Sequence, residues 1–314
     1  MTETMSVLLD ATLAATLVFI AWRCVSTRDA FGSIALFIVL GLVMAIAWVR
    51  LRAPDLALAE AALGSAITGA MLLAVWFEPR RRLPWASPSR RRRLFALLAA
   101  CGAMGVVAGA LLPLLGSQGG LAVEVQAEIA ATGVTHPVTA VLLDFRSFDT
   151  FLELCVLVAA LIGIWRLDVR GSIPGATSLD PVLASYAKPA VAMLIVLGGA
   201  ILWRGAFAPG GAFQAGATIA AGGVLMMLAA YPTAGPPAAH WCRIGTGLGV
   251  LGLLLLGVIA LVTSGSFLDW PDAKAGTFIL IAEVAATVSI SLTLILLVLA
   301  ARPGPSTGRA GGHA

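Results

Sequence analysis

Charge is scarce in this sequence: only 11% of its 314 residues are Asp, Glu, Lys or Arg, against about 25% in an ordinary soluble domain. Lysine is rarer still, with Lys188 and Lys274 the only two. The cysteines Cys24, Cys101, Cys155 and Cys242 form no Cys-x-x-Cys pair, and His136, His240 and His313 stand apart from them and from one another along the chain. That spacing argues against a metal site or a disulfide framework. Also missing are a Gly-rich phosphate loop, a nucleophile beside a base, and a haem-type or quinone-type histidine pattern, so neither an enzyme nor a cofactor is implied. What fills the chain instead is apolar: 60% of residues are hydrophobic and the mean hydropathy is +0.98. Such a composition describes an all-α polytopic membrane protein. The pI near 9.2 arises from loop arginines and carries no argument for nucleic acid.

Nine windows are long enough to cross about 30 Å of hydrocarbon. They run from Met5 to Val25, Phe31 to Val49, Leu56 to Phe77, Leu94 to Leu115, Phe148 to Trp165, Ala187 to Trp203, Gly211 to Tyr231, Ile244 to Ser264 and Gly276 to Ala301. Alternate loops differ sharply in base content. One set holds 15 of the 20 Lys and Arg residues, including the seven arginines from Arg80 to Arg93, while the other holds only Arg50, Arg52, Arg146, Arg204 and Lys274. The positive-inside rule then puts the N-terminus outside and the C-terminus in the cytoplasm. MTETMSVLLD lacks a basic leader, so the first apolar segment reads as a retained helix. The arginine-rich loop reads as a topology anchor, with anionic lipid head groups as a further partner. The Gly/Pro-rich stretch 303–314 reads as disordered. In the external connection, Leu121, Val125 and Ile129 recur at helical spacing opposite Glu124 and Glu128, which predicts a short amphipathic helix. Pro209-Gly210-Gly211 would break a helix near the outer surface, either as a tight turn or as backbone lining a watery cavity.

Carboxylates inside such segments carry the functional question. A charge at membrane depth costs roughly 2.5 to 3.5 kcal/mol on insertion scales, so it is kept against protein or water. Asp149 and Glu153 lie four apart, on one face of the fifth segment. Asp144 and Arg146 precede them at the outer interface and read as a structural or tuning pair, because an opposite charge nearby favours the ionised carboxylate. Asp55 follows Pro54 at the start of the third segment, where a helix-end charge is favourable. Glu60 sits deeper, among Ala59, Ala61, Ala62 and Gly64, small residues that let another helix approach. Glu283 is similarly lined in the ninth segment, and Asp10 is placed to face water near the outer end of the first. Glu60, Asp149, Glu153, Asp55 and Glu283 are therefore the candidate ion or proton pathway, with a purely structural hydrogen-bonding role as the competing reading.

Longer motifs carry a resemblance. RAPDLALAEAALGSAITGAMLL at Arg52 to Leu73 resembles the MbhD-type domain near the end of the large A subunit of Mrp-type cation/proton antiporters. HPVTAVLLDFRSFDTFLELCVLVAALIGI at His136 to Ile164 resembles the MbhE-type domain that follows it. LWRGAFAPGGAFQAGATIAAGGVLMMLA and SGSFLDWPDAKAGTFILIAEVAATVSISLTLIL are similar to the B subunit of the same antiporters. The resemblance implies a division into residues 1–78, 79–170 and 171–302, with the tail 303–314. It also implies that Asp55, Glu60, Asp144, Arg146, Asp149 and Glu153 match the family's acidic features. Two departures stand out: Gly205-Ala206-Phe207 replaces the usual Gly-His-Asn, and the large antiporter-like part of the A subunit is absent. The implied function is an accessory membrane subunit of a multisubunit Na+/H+ antiporter, handling protons and monovalent cations beside other subunits in the bilayer. The alternatives are an ion-translocating subunit of a membrane-bound hydrogenase or other complex I relative, and a purely structural scaffold.

Overall fold

An apolar chain in hydrocarbon must satisfy its backbone polar groups within each segment. The computed structural model of the protein describes residues 3–76, 89–113, 120–166, 181–229, 236–271 and 274–301, and among these there are helices and no strand. The expected boundaries at 78, 170 and 302, the loop residues 79–88 and the tail 303–314 lie outside the described residues.

Helix α1 (Glu3–Ser26) turns back into α2 (Ala30–Arg50), whose first amides, on Phe31 and Gly32, are capped by the Asp29 carboxylate. After a short turn Pro54 opens α3 (Pro54–Ala59), which runs through a π-helical stretch (Glu60–Ile67) into α4 (Thr68–Trp76). Then come α5 (Arg90–Leu111), the short α6 (Ala122–Glu128) and α7 (Pro137–Ala140), which leads through a second π-helical stretch (Val141–Phe145) to α8 (Ser147–Arg166). The amphipathic segment expected before the signature is thus α6, followed by a single tight turn at Ile129–Ala131. The rest is α9 (Pro181–Arg204), α10 (Ala212–Leu228), α11 (Pro236–Thr246), α12 (Leu248–Ser264) and α13 (Ala275–Ala301).

The described parts of the nine expected segments lie in helices, apart from Gly247 and the ends of the seventh. Among the described residues seven helical stretches are long and apolar enough to cross a membrane, and α10 and α12 are shorter apolar helices. At 17 residues each, those two reach about 26 Å at 1.5 Å per residue, short of a full crossing without their flanks. The eighth expected segment is in fact two helices, because Gly247 separates α11 from α12.

Packing centres on α13. Its apolar window is 56% buried, against 22% or less for the other six long stretches. Helices α10, α12, α8, α11 and α4 lie against it, and α9 packs mainly on α10. Small residues make this closeness possible. A methyl group on Gly216 would come within 2.8 Å of Ile290, and one on Gly198 within 2.6 Å of Ile219, the signature of membrane helices packed through glycine. The interior of α13 also carries hydroxyls: Ser289 donates to the Thr246 carbonyl, and Thr287 and Ser291 donate to carbonyls one turn back in their own helix.

Two ends of the assembly can be told apart. At one, Arg50 at the close of α2 pairs with Asp10 of α1 through both carboxylate oxygens, at 2.7 and 2.9 Å, so Asp10, expected merely to face water, is tied to a base while still half exposed. At the other, the Arg243 guanidinium lies 5.1 Å from the Trp165 ring centre, joining α11 to the end of α8.

Candidate functional site

The α9–α10 connection reads GAFAPGG, residues 205–211, and has no charge of its own. It nevertheless gathers polar groups from four other parts of the chain. Gly211 caps α10 with φ +111°, a conformation that side chains resist. The chain there leaves its backbone N–H groups free to bond acids, as the start of any helix does. Gly210 N–H donates to Asp55 Oδ1 at 3.0 Å, and the Glu283 carboxylate lies against Gly205 and Gly211. Two carboxylates from distant segments therefore meet at one loop. Both are buried, Asp55 with 7% and Glu283 with 2% of its surface exposed. The glycines admit this approach: an added methyl on Gly205 or Gly211 would stand only 3.1 or 3.0 Å from Glu283 Oε1.

The second oxygen of Asp55 meets a histidine. His136 Nε2 lies 2.9 Å from Asp55 Oδ2, with the two side chains 12% and 9% exposed. The loop holds His136 in turn, since the backbone N–H groups of Thr135 and His136 both donate to the Ala206 carbonyl, at 2.8 and 3.1 Å. Thr139 donates to the Gly205 carbonyl at 2.5 Å and Gln214 Nε2 to the Asp55 carbonyl at 3.3 Å. Position 206 is where the resemblance leads one to expect a histidine. An imidazole from elsewhere in the chain is anchored beside it instead.

The other candidate residues are placed less tightly. Glu60 opens the first π-helical stretch, half-buried, with its carboxylate folded against Gly64 of its own turn and about 3.1 Å from where a methyl on Gly41 of α2 would be. Short π-helical insertions concentrate at functional sites because they redirect side chains within an otherwise regular helix. Glu153 is exposed at the rim of an apolar cavity of about 400 Å³, whose walls include Leu63, Phe213, Leu157 and Ile290. That cavity joins α8 to the π-helical stretch after α3, the head of α10 and α13. Arg146 forms its ion pair with Asp149, and both side chains stay substantially exposed, at 68% and 43%. Arg146, expected to pair with Asp144, has Asp149 as its ion-pair partner, and Asp144 lies half-buried in the second π-helical stretch. Asp55 does begin its helix as expected, but it is a buried, doubly bonded acid and not simply a helix-end charge facing water.

The structure thus brings together Asp55 and Glu283 across the 205–211 loop, and leaves Glu60 in the π-helical stretch after α3 and Glu153 on α8, apart from them. Spacing along the sequence hides His136, which is 81 residues from its partner. The one local signal for it is the Pro137 that follows, a helix start beside an imidazole. Among the described residues no three His, Cys, Asp or Glu side chains converge to hold a metal ion.

Residues 15–81 match the family model for MbhD, the D subunit of MBH, and residues 182–301 match the model described as a domain related to the MnhB subunit of Na+/H+ antiporter. An uncharacterized protein of Methanocaldococcus jannaschii, MJ1307, is 30% identical over 160 residues, 43% of this chain and 60% of that one. The A subunit of the Na(+)/H(+) antiporter of Bacillus subtilis is also 30% identical, over 152 residues that make up 46% of this chain and 18% of the relative. The chain therefore spans less than two thirds of either curated relative. Among solved structures, a chain of the Mrp complex from Dietzia sp. DQ12-45-1b superposes with a TM-score of 0.75 at 23% identity, covering 95% of this chain and 35% of that one.

Proposed function

We propose that this multi-pass membrane chain, whose residues 15–81 match the MbhD model and 182–301 the MnhB-related one, serves as a membrane subunit of a multisubunit monovalent cation/proton antiporter of Mrp type, with an MbhD-type segment fused to an MnhB-related domain. Beside the other subunits it contributes a carboxylate-lined ion or proton path and acts as part of a transporter, not as an enzyme. The observation that carries this reading is the meeting of two buried acids at the head of α10, Asp55 on the Gly210 amide and Glu283 against Gly205 and Gly211. Buried acids gathered at the arginine-poor end of the helices are suited to taking up a proton or a cation from the outer side. Glu60, Glu153 and Asp149 continue the path along α3, α8 and the groove between them, with Arg146 as the fixed partner of Asp149. The central segment, 79–170, is the MbhE-like unit of the fusion and carries the signature acids.

The test is ion exchange by the assembled complex in inside-out vesicles. Glu283→Gln and Glu60→Gln each lower exchange at least tenfold while the subunits still co-purify. Full exchange by both variants would sink the ion-path reading, and loss of co-purification would favour the scaffold reading. One observation supports a second reading: the model matching residues 15–81 is that of an MBH component, which admits the same path in a redox-driven pump. Antiporter subunits alone in a mild-detergent preparation favour the first, and hydrogenase or quinone-module subunits the second.

A further inference from the structure

His136 is the one histidine whose side chain the described residues place, and the pathway carboxylates leave its role open. It is fixed on three sides. Its backbone N–H is bound to the Ala206 carbonyl at 3.1 Å, Pro137 follows it at the first turn of α7, and its ring nitrogen Nε2 faces Asp55 Oδ2 at 2.9 Å. Asp55 cannot turn away either, because its other oxygen is held by Gly210 N–H at 3.0 Å.

We propose that His136 is a proton-carrying residue of the pathway, with Asp55 as its fixed counter-charge; this rests on the ion-path reading above. An ionised Asp55 accepts from Nε2–H whether the ring is neutral or charged. The exchanging proton is therefore the one on Nδ1: an N–H bond forms there when a proton enters and breaks when it leaves, while the Nε2–Asp55 bond persists. Gain of the proton makes the pair neutral, and its loss leaves the pair with one net negative charge. Imidazole is the side chain whose charge changes between about pH 5 and 8 without unusual surroundings. A purely structural link to Asp55 would be served equally by an amide.

The charged groups around the ring are few. Asp55 comes from α3, and exposed Arg52 precedes it; the loop 205–211 contributes none; Arg204 at the end of α9 is exposed beside Pro54 and Pro209. Glu283 of α13 sits across Gly211 from Asp55, and Asp144 lies eight residues on in the chain's own next stretch.

The decisive measurement follows the imidazole nitrogens of the complex, labelled with 15N-histidine, between pH 5 and 9, with His240→Gln and His313→Gln variants assigning the signals. His136 is expected to gain and lose its Nδ1 proton in that range with Nε2–H retained. In vesicles His136→Gln removes a one-proton limb from the pH profile of exchange, whereas a structural role would lower the rate without changing the profile. A His136 ring that keeps one protonation state throughout overturns the proposal, as does an unaltered profile in His136→Gln. If that variant fails to assemble, the nitrogen titration of the unaltered residue decides. Full activity of Glu283→Gln and Glu60→Gln would remove the ion path yet leave the His136 titration standing, so the two failures are distinguishable.

Discussion

Helices α5 and α13 each contain an equally apolar window long enough to cross a membrane, yet the window of α13 is 56% buried and that of α5 buries nothing. Hydropathy alone therefore says that both can sit in a membrane and nothing about what each touches. The difference lies in what interrupts the apolar residues. Helix α13 carries Glu283, Thr287, Ser289, Ser291 and Thr293, all buried, and faces glycines of α10 and α12. Helix α5 has Gly102, Gly105 and Gly109 with no other atom near where a side chain would begin. In a bilayer, burial is bought by close fit and by polar bonds that lipid cannot make.

Three substitutions sharpen this contrast, and the largest effect belongs at the α10–α13 contact. Gly216→Leu places its first carbon 2.8 Å from Ile290 and 3.3 Å from the Thr287 carbonyl, and overpacking of this kind costs at least ~2 kcal/mol. Thermal unfolding in detergent should show a clearly lowered midpoint, and an unchanged one would mean that the contact is looser than the structure has it. A smaller loss is expected for Ser289→Ala, which removes the hydroxyl that donates to Thr246 between α13 and α11. Hydrogen bonds between membrane helices average about 0.6 kcal/mol, so the midpoint should fall measurably but less than for Gly216→Leu. The smallest effect is that of Gly105→Leu in α5, within about 0.5 kcal/mol for the chain on its own. A strong destabilisation of the isolated chain by this change would erase the distinction between the two helices.

Much of this architecture is legible in the sequence alone. Runs of apolar residues show where the long apolar helices of the described residues lie, and Pro54, Pro209 and Gly210 mark where two of them begin. The internal breaks are not legible. Nothing in the period of EAALGSAI or VLLDF distinguishes a π-helical stretch from an ordinary one, and the division at Gly247 is a single glycine within a Gly-rich run. Glu283 and Glu60 stand out as acids among small residues, because membrane depth makes any carboxylate conspicuous. Asp55 can be placed at its helix start, but its burial depends on Gly210 and His136, which lie 155 and 81 residues away. Pairings over such separations leave no trace in local spacing. Arg146 has Asp144 two residues before it and Asp149 three after it, and the sequence alone does not choose Asp149.

The bond between Asp55 and Gly210 also has a timetable. Residue 210 leaves the ribosome 155 residues after residue 55, which at 5 to 20 residues per second is roughly 8 to 30 s. During that interval the third segment has its acid without the amide that will hold it, waiting beside the insertion machinery or at the membrane surface. Carrying both groups on one polypeptide makes the delay fixed and the partner certain to arrive, whereas two separate chains would have to find each other by diffusion. Synthesis in one piece thus supplies the acid with its amide once in every chain made.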